Sequence, residues 1–96
     1  MSLRRYAKRR DANEAEIVSV LRAAGADVDL LDRPVDLLIG YRGTTVLAEV
    51  KTPTGRVQGH QQEWLEHWRG GARVILRTVE DAMAVLDAIR IGGVKC

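Results

Sequence analysis

The apolar residues of this chain switch between helical and extended spacing. Ile17, Val18, Leu21 and Ala24 recur at helical intervals and predict a first helix from about Asn13 to Ala24. Asp11 or Asn13 can cap its start, and Gly25 stops it. Val28–Leu31 predicts a short strand. Val35–Tyr41 and Thr45–Lys51 predict two longer strands joined at Arg42-Gly43. Pro53, Gly55 and Gly59 mark residues 52–59 as a loop. Gln61–Trp68 predicts a helix with Trp64, Leu65 and Trp68 on one side, ended by Arg69-Gly70-Gly71. Ala72–Arg77 predicts a fourth strand. A last helix starts at Thr78, with Asp81 completing a capping-box variant and Ala82, Met83, Leu86 and Ile89 as its buried stripe.

The expected order is αβββαβα. The two longer strands are nearly continuous in apolar residues: Val35, Leu37, Leu38 and Ile39, then Val46, Leu47, Ala48 and Val50. Strands of that kind are covered on both faces. The expected fold class is therefore α/β, one mixed four-stranded sheet flanked by helices.

Length and composition narrow the classes. Ninety-six residues suit one domain and bury a modest core, so pairing with a second copy would help stability. An apolar fraction of 46% argues against disorder. No apolar run approaches the roughly 18 residues of a membrane span, and no signal peptide is visible. The single cysteine, Cys96, leaves neither a disulfide framework nor a cysteine-based zinc site, and a reducing, cytoplasmic setting is expected.

Net charge is only +2, but Arg4, Arg5, Lys8, Arg9 and Arg10 crowd together. Residues 1–10 read as a basic arm suited to a polyanion such as nucleic acid, and residues 11–96 as the single domain. A solvated terminus is the plainer alternative.

Three charges interrupt the apolar strands: Asp36, Glu49 and Lys51. If Arg42-Gly43 is a two-residue hairpin loop, Tyr41 pairs with Thr44 and Asp36 stands directly opposite Glu49. Side chains alternate along a strand, so Lys51 shares the face of Glu49. Two carboxylates that close repel, and burial raises the cost. Lys51 supplies one compensating charge. A divalent cation supplies two, and magnesium favours one or two carboxylates plus water and phosphate oxygens. A solvated ion pair at a sheet edge would explain any one of these charges, but explains three on one face less well.

The stretch Asp36-x12-Glu49-Val50-Lys51 resembles the PD-(D/E)XK nuclease signature. The wider run, NEAEIVSVLRAAGADV, then VDLLIGYRGTTVLAEVK, then Gln61 and WRG, looks like the stand-alone VRR-NUC type and is similar to archaeal-type Holliday junction resolvases. The likeness covers roughly Asp11 to Leu86. One departure is Val35, which stands where the family has proline, with Pro34 one position earlier. The resemblance implies a restriction-endonuclease-like core and a Mg²⁺- or Mn²⁺-dependent endonuclease acting on branched or structured DNA, including Holliday junctions, as a homodimer. It implies that Asp36, Glu49 and the Val50 carbonyl hold the metal. Lys51 would orient the attacking water or stabilise charge on the phosphorane, and Gln61 would support the site from the next helix. A helix glutamate would join them. Glu14 has the resolvase-type offset from Ile17-Val18, and Glu16 is the alternative.

The remaining polar residues divide. Gln61 begins a core-facing stripe and needs a partner. Arg56 in the loop is a candidate phosphate contact, whereas Arg73 and Arg77 bracket the last strand as solvated groups. His60 and His67 lack ligand spacing, and Trp64 and Trp68 are expected in the core. Other readings of the same pattern are a catalytically silent nucleic-acid-binding module and a structural homodimer.

Overall fold

The computed structural model describes residues 10–57 and 59–92. Its elements run α1 (Glu14–Ala23), β1 (Asp27–Leu30), β2 (Leu37–Tyr41), β3 (Thr44–Val50), α2 (Gly59–His67), β4 (Ala72–Leu76) and α3 (Val79–Arg90). The four strands form one mixed sheet in the order β1-β2-β3-β4. β1, β2 and β3 pair antiparallel, whereas β3 and β4 run parallel and are connected through α2. The fold is thus a mixed α/β arrangement with a four-stranded sheet flanked by helices. No helix among the described residues is long and apolar enough to cross a membrane.

Local chemistry sets the element ends. Gly25, with φ of +101°, follows α1 in a backbone conformation that favours glycine. The hairpin between β2 and β3 is the expected two-residue loop: Tyr41 pairs with Thr44, and Arg42 and Gly43 have φ of +51° and +82°. Two successive positive φ values match the right-handed twist of the flanking strands. At α3, the Thr78 hydroxyl accepts from the Asp81 N–H at 3.0 Å, and the Asp81 carboxylate accepts from the Arg77 N–H at 2.8 Å. The expected cap is present, although its return bond reaches one residue before Thr78.

One face of the sheet carries the core. Val28, Leu37, Ile39, Val46, Ala48, Val50 and Leu76 meet Ile17 and Leu21 of α1 and Ala82 and Leu86 of α3. Met83 is only half-buried, and Val85 packs against the core as well.

The other face departs from the expectation of full cover. Leu38 and Leu47 are half-buried there, and Ile75 is 38% exposed. The reason is the size and placement of α2. It is nine residues long, buries only Leu65, and leans on β4 through a bond from Arg73 Nε to the Leu65 carbonyl. Trp64 and Trp68 likewise lie outside the core cluster, half-buried. They stack on each other with centroids 4.9 Å apart, and Trp68 Nε1 donates to the Gly71 carbonyl at 2.8 Å. The Trp68 ring lies against Gly70.

Candidate functional site

Among the described residues three carboxylates are buried: Glu14, Asp36 and Glu49, the last only 1% exposed. An ionised carboxylate removed from water needs hydrogen bonds or opposite charge. Each of the three has such partners, and together they mark one end of the sheet.

Glu49 lies near the end of β3, between core-facing Ala48 and Val50, so alternation sends its side chain to the α2 side of the sheet. Gln61, at the start of α2, donates through Nε2 to Glu49 Oε2. Lys51 Nζ lies 3.6 Å from the same oxygen. The Lys51 backbone is fixed in turn, because its N–H donates to the Leu76 carbonyl at 3.0 Å. Gln61 thus has Glu49 as its partner, and Lys51 and Glu49 share a face as the spacing required.

Asp36 differs from its expected position. The β2–β3 ladder ends at Leu37 and Ala48, and the Asp36 N–H donates to the Ala48 carbonyl at 3.1 Å. Asp36 does not stand across from Glu49 as a regular ladder pair. Its Oδ2 instead accepts the Val50 N–H at 2.8 Å, in a buried bond. The physical reason is satisfaction of the backbone. Past the last β2–β3 pair the Val50 N–H, on the β2 side, has no β2 carbonyl to meet, and a buried N–H is costly to leave unpaired. A residue's N–H and C=O point to the same neighbour in extended antiparallel backbone, so the Val50 carbonyl also faces the Asp36 side.

Glu14 opens α1. Glu16, the alternative helix acid, is exposed. Arg10 Nη1 donates to Glu14 Oε2 at 2.9 Å and lies 3.9 Å from Asp36 Oδ1. Its Nη2 donates to the Leu31 carbonyl at 2.9 Å. Arg10, expected to reach for nucleic acid as part of the arm, is here a part-buried counter-ion tying α1 to the start of β2. The i, i+4 spacing of Arg10 and Glu14 was the available signal.

Asn13 is a contributor the sequence did not reveal. Its Nδ2 donates to the carbonyls of Lys51 and Arg77, at 3.0 and 2.8 Å. One amide thereby joins the start of α1 to the ends of two parallel strands and fixes the main chain of Lys51. No local pattern marks this role, since the partners are far apart in the sequence.

Arg56 is exposed on the loop after β3, where it lines a groove together with Arg73 and Arg77. Arg4, Arg5, Lys8 and Arg9 lie outside the described residues. His60 and His67 are exposed, as expected.

Among the described residues, two side-chain cations, Arg10 and Lys51, lie within ion-pair distance of these three carboxylates. Among the described residues no group of three or more histidine, cysteine, aspartate or glutamate side chains converges as a metal cage. A magnesium-like ion needs no such cage, because it keeps several waters and takes one or two carboxylates. Asp36, Glu49 and the Val50 carbonyl fit that oxygen donor set by type. Comparison with family models, curated proteins and solved structures gives no match.

Proposed function

We propose that this protein is a metal-dependent endonuclease of the PD-(D/E)XK kind, hydrolysing phosphodiester bonds in branched or structured DNA. The observation that carries the reading is the burial of Asp36 and Glu49 at one sheet end, beside Lys51. Asp36 accepts the Val50 N–H, and Lys51 Nζ lies 3.6 Å from Glu49. Burying carboxylates at the ends of apolar strands costs stability even when they are partnered, and functional sites are where a chain accepts such a cost.

In this reading Asp36, Glu49 and the Val50 carbonyl would hold Mg²⁺ or Mn²⁺. The bound ion would neutralise the phosphate and lower the pKa of the attacking water. Lys51 would orient the attacking water or offer its ammonium to the negative charge that grows on the phosphoryl oxygens. Gln61 fixes the rotamer of Glu49, and Asn13 fixes the main chain of Lys51. Arg10 holds Glu14 and Asp36 in place. The restriction-endonuclease-like core and the likeness to VRR-NUC and resolvase-type domains belong to the same proposal. So does a homodimer, since two symmetric cuts in a four-way junction call for two identical sites related by a two-fold axis.

The test is cleavage of four-way junction, flap, duplex and single-stranded DNA, titrated with Mg²⁺ or Mn²⁺. Lys51→Ala is expected to abolish cleavage and keep binding. Light scattering on the purified chain checks the dimer.

A second reading is a catalytically silent nucleic-acid-binding module. It draws on Arg10, which already supplies a cation to Glu14 and Asp36. Binding that weakens steeply with salt, without cleavage in either metal, would favour it. Neither binding nor cleavage would leave a structural homodimer.

A further inference from the structure

A groove of about 610 Å³ opens between the loop after Lys51, α2 and the outer face of β4. Arg56, Arg73 and Arg77 line it, and Val57, Leu65 and Ile75 supply apolar surface. It begins next to the candidate site. Arg77 Nη1 donates to the carbonyls of Thr52, the residue after Lys51, and of Gly55, at 2.9 and 2.6 Å.

The charges in this groove are placed but not cancelled. Arg77 and Arg73 are anchored by carbonyl oxygens, which are neutral acceptors. Among the described residues, none of the three guanidiniums lies within ion-pair distance of a carboxylate, whereas Arg10, Lys51 and Arg90 all do. Glu66 is the one acid in the lining, and it accepts from Gln62 Nε2 at 3.1 Å. Three cations, two of them anchored, around an apolar floor suit a ligand that alternates anionic groups with flat apolar ones.

A nucleic-acid strand has that alternation, and its pairing state decides the fit. A duplex turns its base faces inward and offers phosphates and groove edges. An unpaired strand can lay base or sugar faces on Leu65 and Ile75 while its phosphates meet the arginines. We infer that this groove holds an unpaired DNA strand leading to the phosphodiester at Lys51. The favoured substrates then carry a single-stranded arm, as flaps and forks do. The inference rests on the nuclease reading only for the position of the scissile bond.

The experiment measures binding by fluorescence anisotropy with the full chain in chelator, so that no cleavage occurs. The probes are a labelled oligothymidylate and a blunt duplex of equal length. The single strand is expected to bind more tightly. The pair Arg56→Gln and Arg73→Gln is expected to weaken it roughly tenfold and to flatten the log–log salt dependence by about 0.7 per lost phosphate contact. Ile75→Asp is expected to weaken single-strand binding with little effect on the duplex. Because Arg73 also anchors α2, Arg56→Gln and Ile75→Asp carry the test alone if the double variant loses its near-ultraviolet dichroism. Equal affinity for the two probes, or unchanged single-strand affinity in these exposed variants, overturns the inference. A parallel cleavage assay keeps the two proposals apart. Groove variants that bind normally beside an active wild type sink the groove alone. Groove variants that bind weakly beside an inactive wild type sink the nuclease reading alone.

Discussion

The backbone N–H of Val50 donates to Asp36 Oδ2 at 2.8 Å, so a carboxylate from the start of β2 is fixed to the residue between Glu49 and Lys51. That bond has two roles. It satisfies a buried donor where the ladder ends, and it holds the carboxyl group beside the strand that carries the other candidate groups.

The two roles separate by substitution. Asp36→Asn keeps an oxygen acceptor for the Val50 N–H and removes the charge. It is expected to fold normally and to lose at least about 100-fold in metal-dependent cleavage rate. Asp36→Ala also orphans the donor and is expected to cost a further 1–3 kcal/mol or so of stability, read by urea unfolding. Full activity in Asp36→Asn would remove Asp36 from the site.

Arg10 bridges Glu14 and Asp36, so its removal leaves two buried carboxylates without that cation. Arg10→Gln is expected to lose about 1–3 kcal/mol in chelator. Mn²⁺ then has more repulsion to relieve, and its stabilising effect on thermal unfolding is expected to exceed that in the wild type. Equal Mn²⁺ shifts in the two proteins would show that Arg10 and the ion do not share Asp36.

Arg42 occupies the hairpin at φ of +51°, a region in which a side chain with Cβ is strained. Asparagine tolerates that region and suits the turn. Arg42→Asn is expected to raise stability by about 1 kcal/mol and to leave cleavage unchanged, since the turn lies at the far end of β2 and β3 from Asp36 and Glu49. A stability loss on urea titration would contradict this account of the turn.

Gly70 lies under the Trp68 ring, and a Cβ added there would fall 2.1 Å from a ring carbon. Gly70→Ala is expected to push the indole aside, break the Trp68–Gly71 bond and cost about 1–3 kcal/mol. Tryptophan fluorescence is the direct readout, because it reports the stacked pair. An unshifted emission spectrum would mean that the ring adapts in place.

Much of the fold was legible because it follows from local signals. The stripe of Ile17, Val18 and Leu21, the Arg42-Gly43 turn and the Thr78 cap each act within a few residues. The shared face of Glu49 and Lys51 follows from strand alternation, and the polar side chain of Gln61 marked a residue in need of a partner. Strand and helix bounds moved by up to two residues, as end effects do.

What sequence alone determined, then, is periodicity and the residue types that break it: the strands, the helices and the charged interruptions at 36, 49 and 51. Tertiary structure alone decided which groups meet. Asp36 reaches the Val50 N–H, not a ladder place opposite Glu49. Arg10 turns inward to Glu14, Asn13 clamps Lys51 to Arg77, and α2 leaves the outer face partly open. Those outcomes depend on where separate elements cross, and on buried donors and charges finding partners across the chain. Spacing along one strand or helix does not encode that.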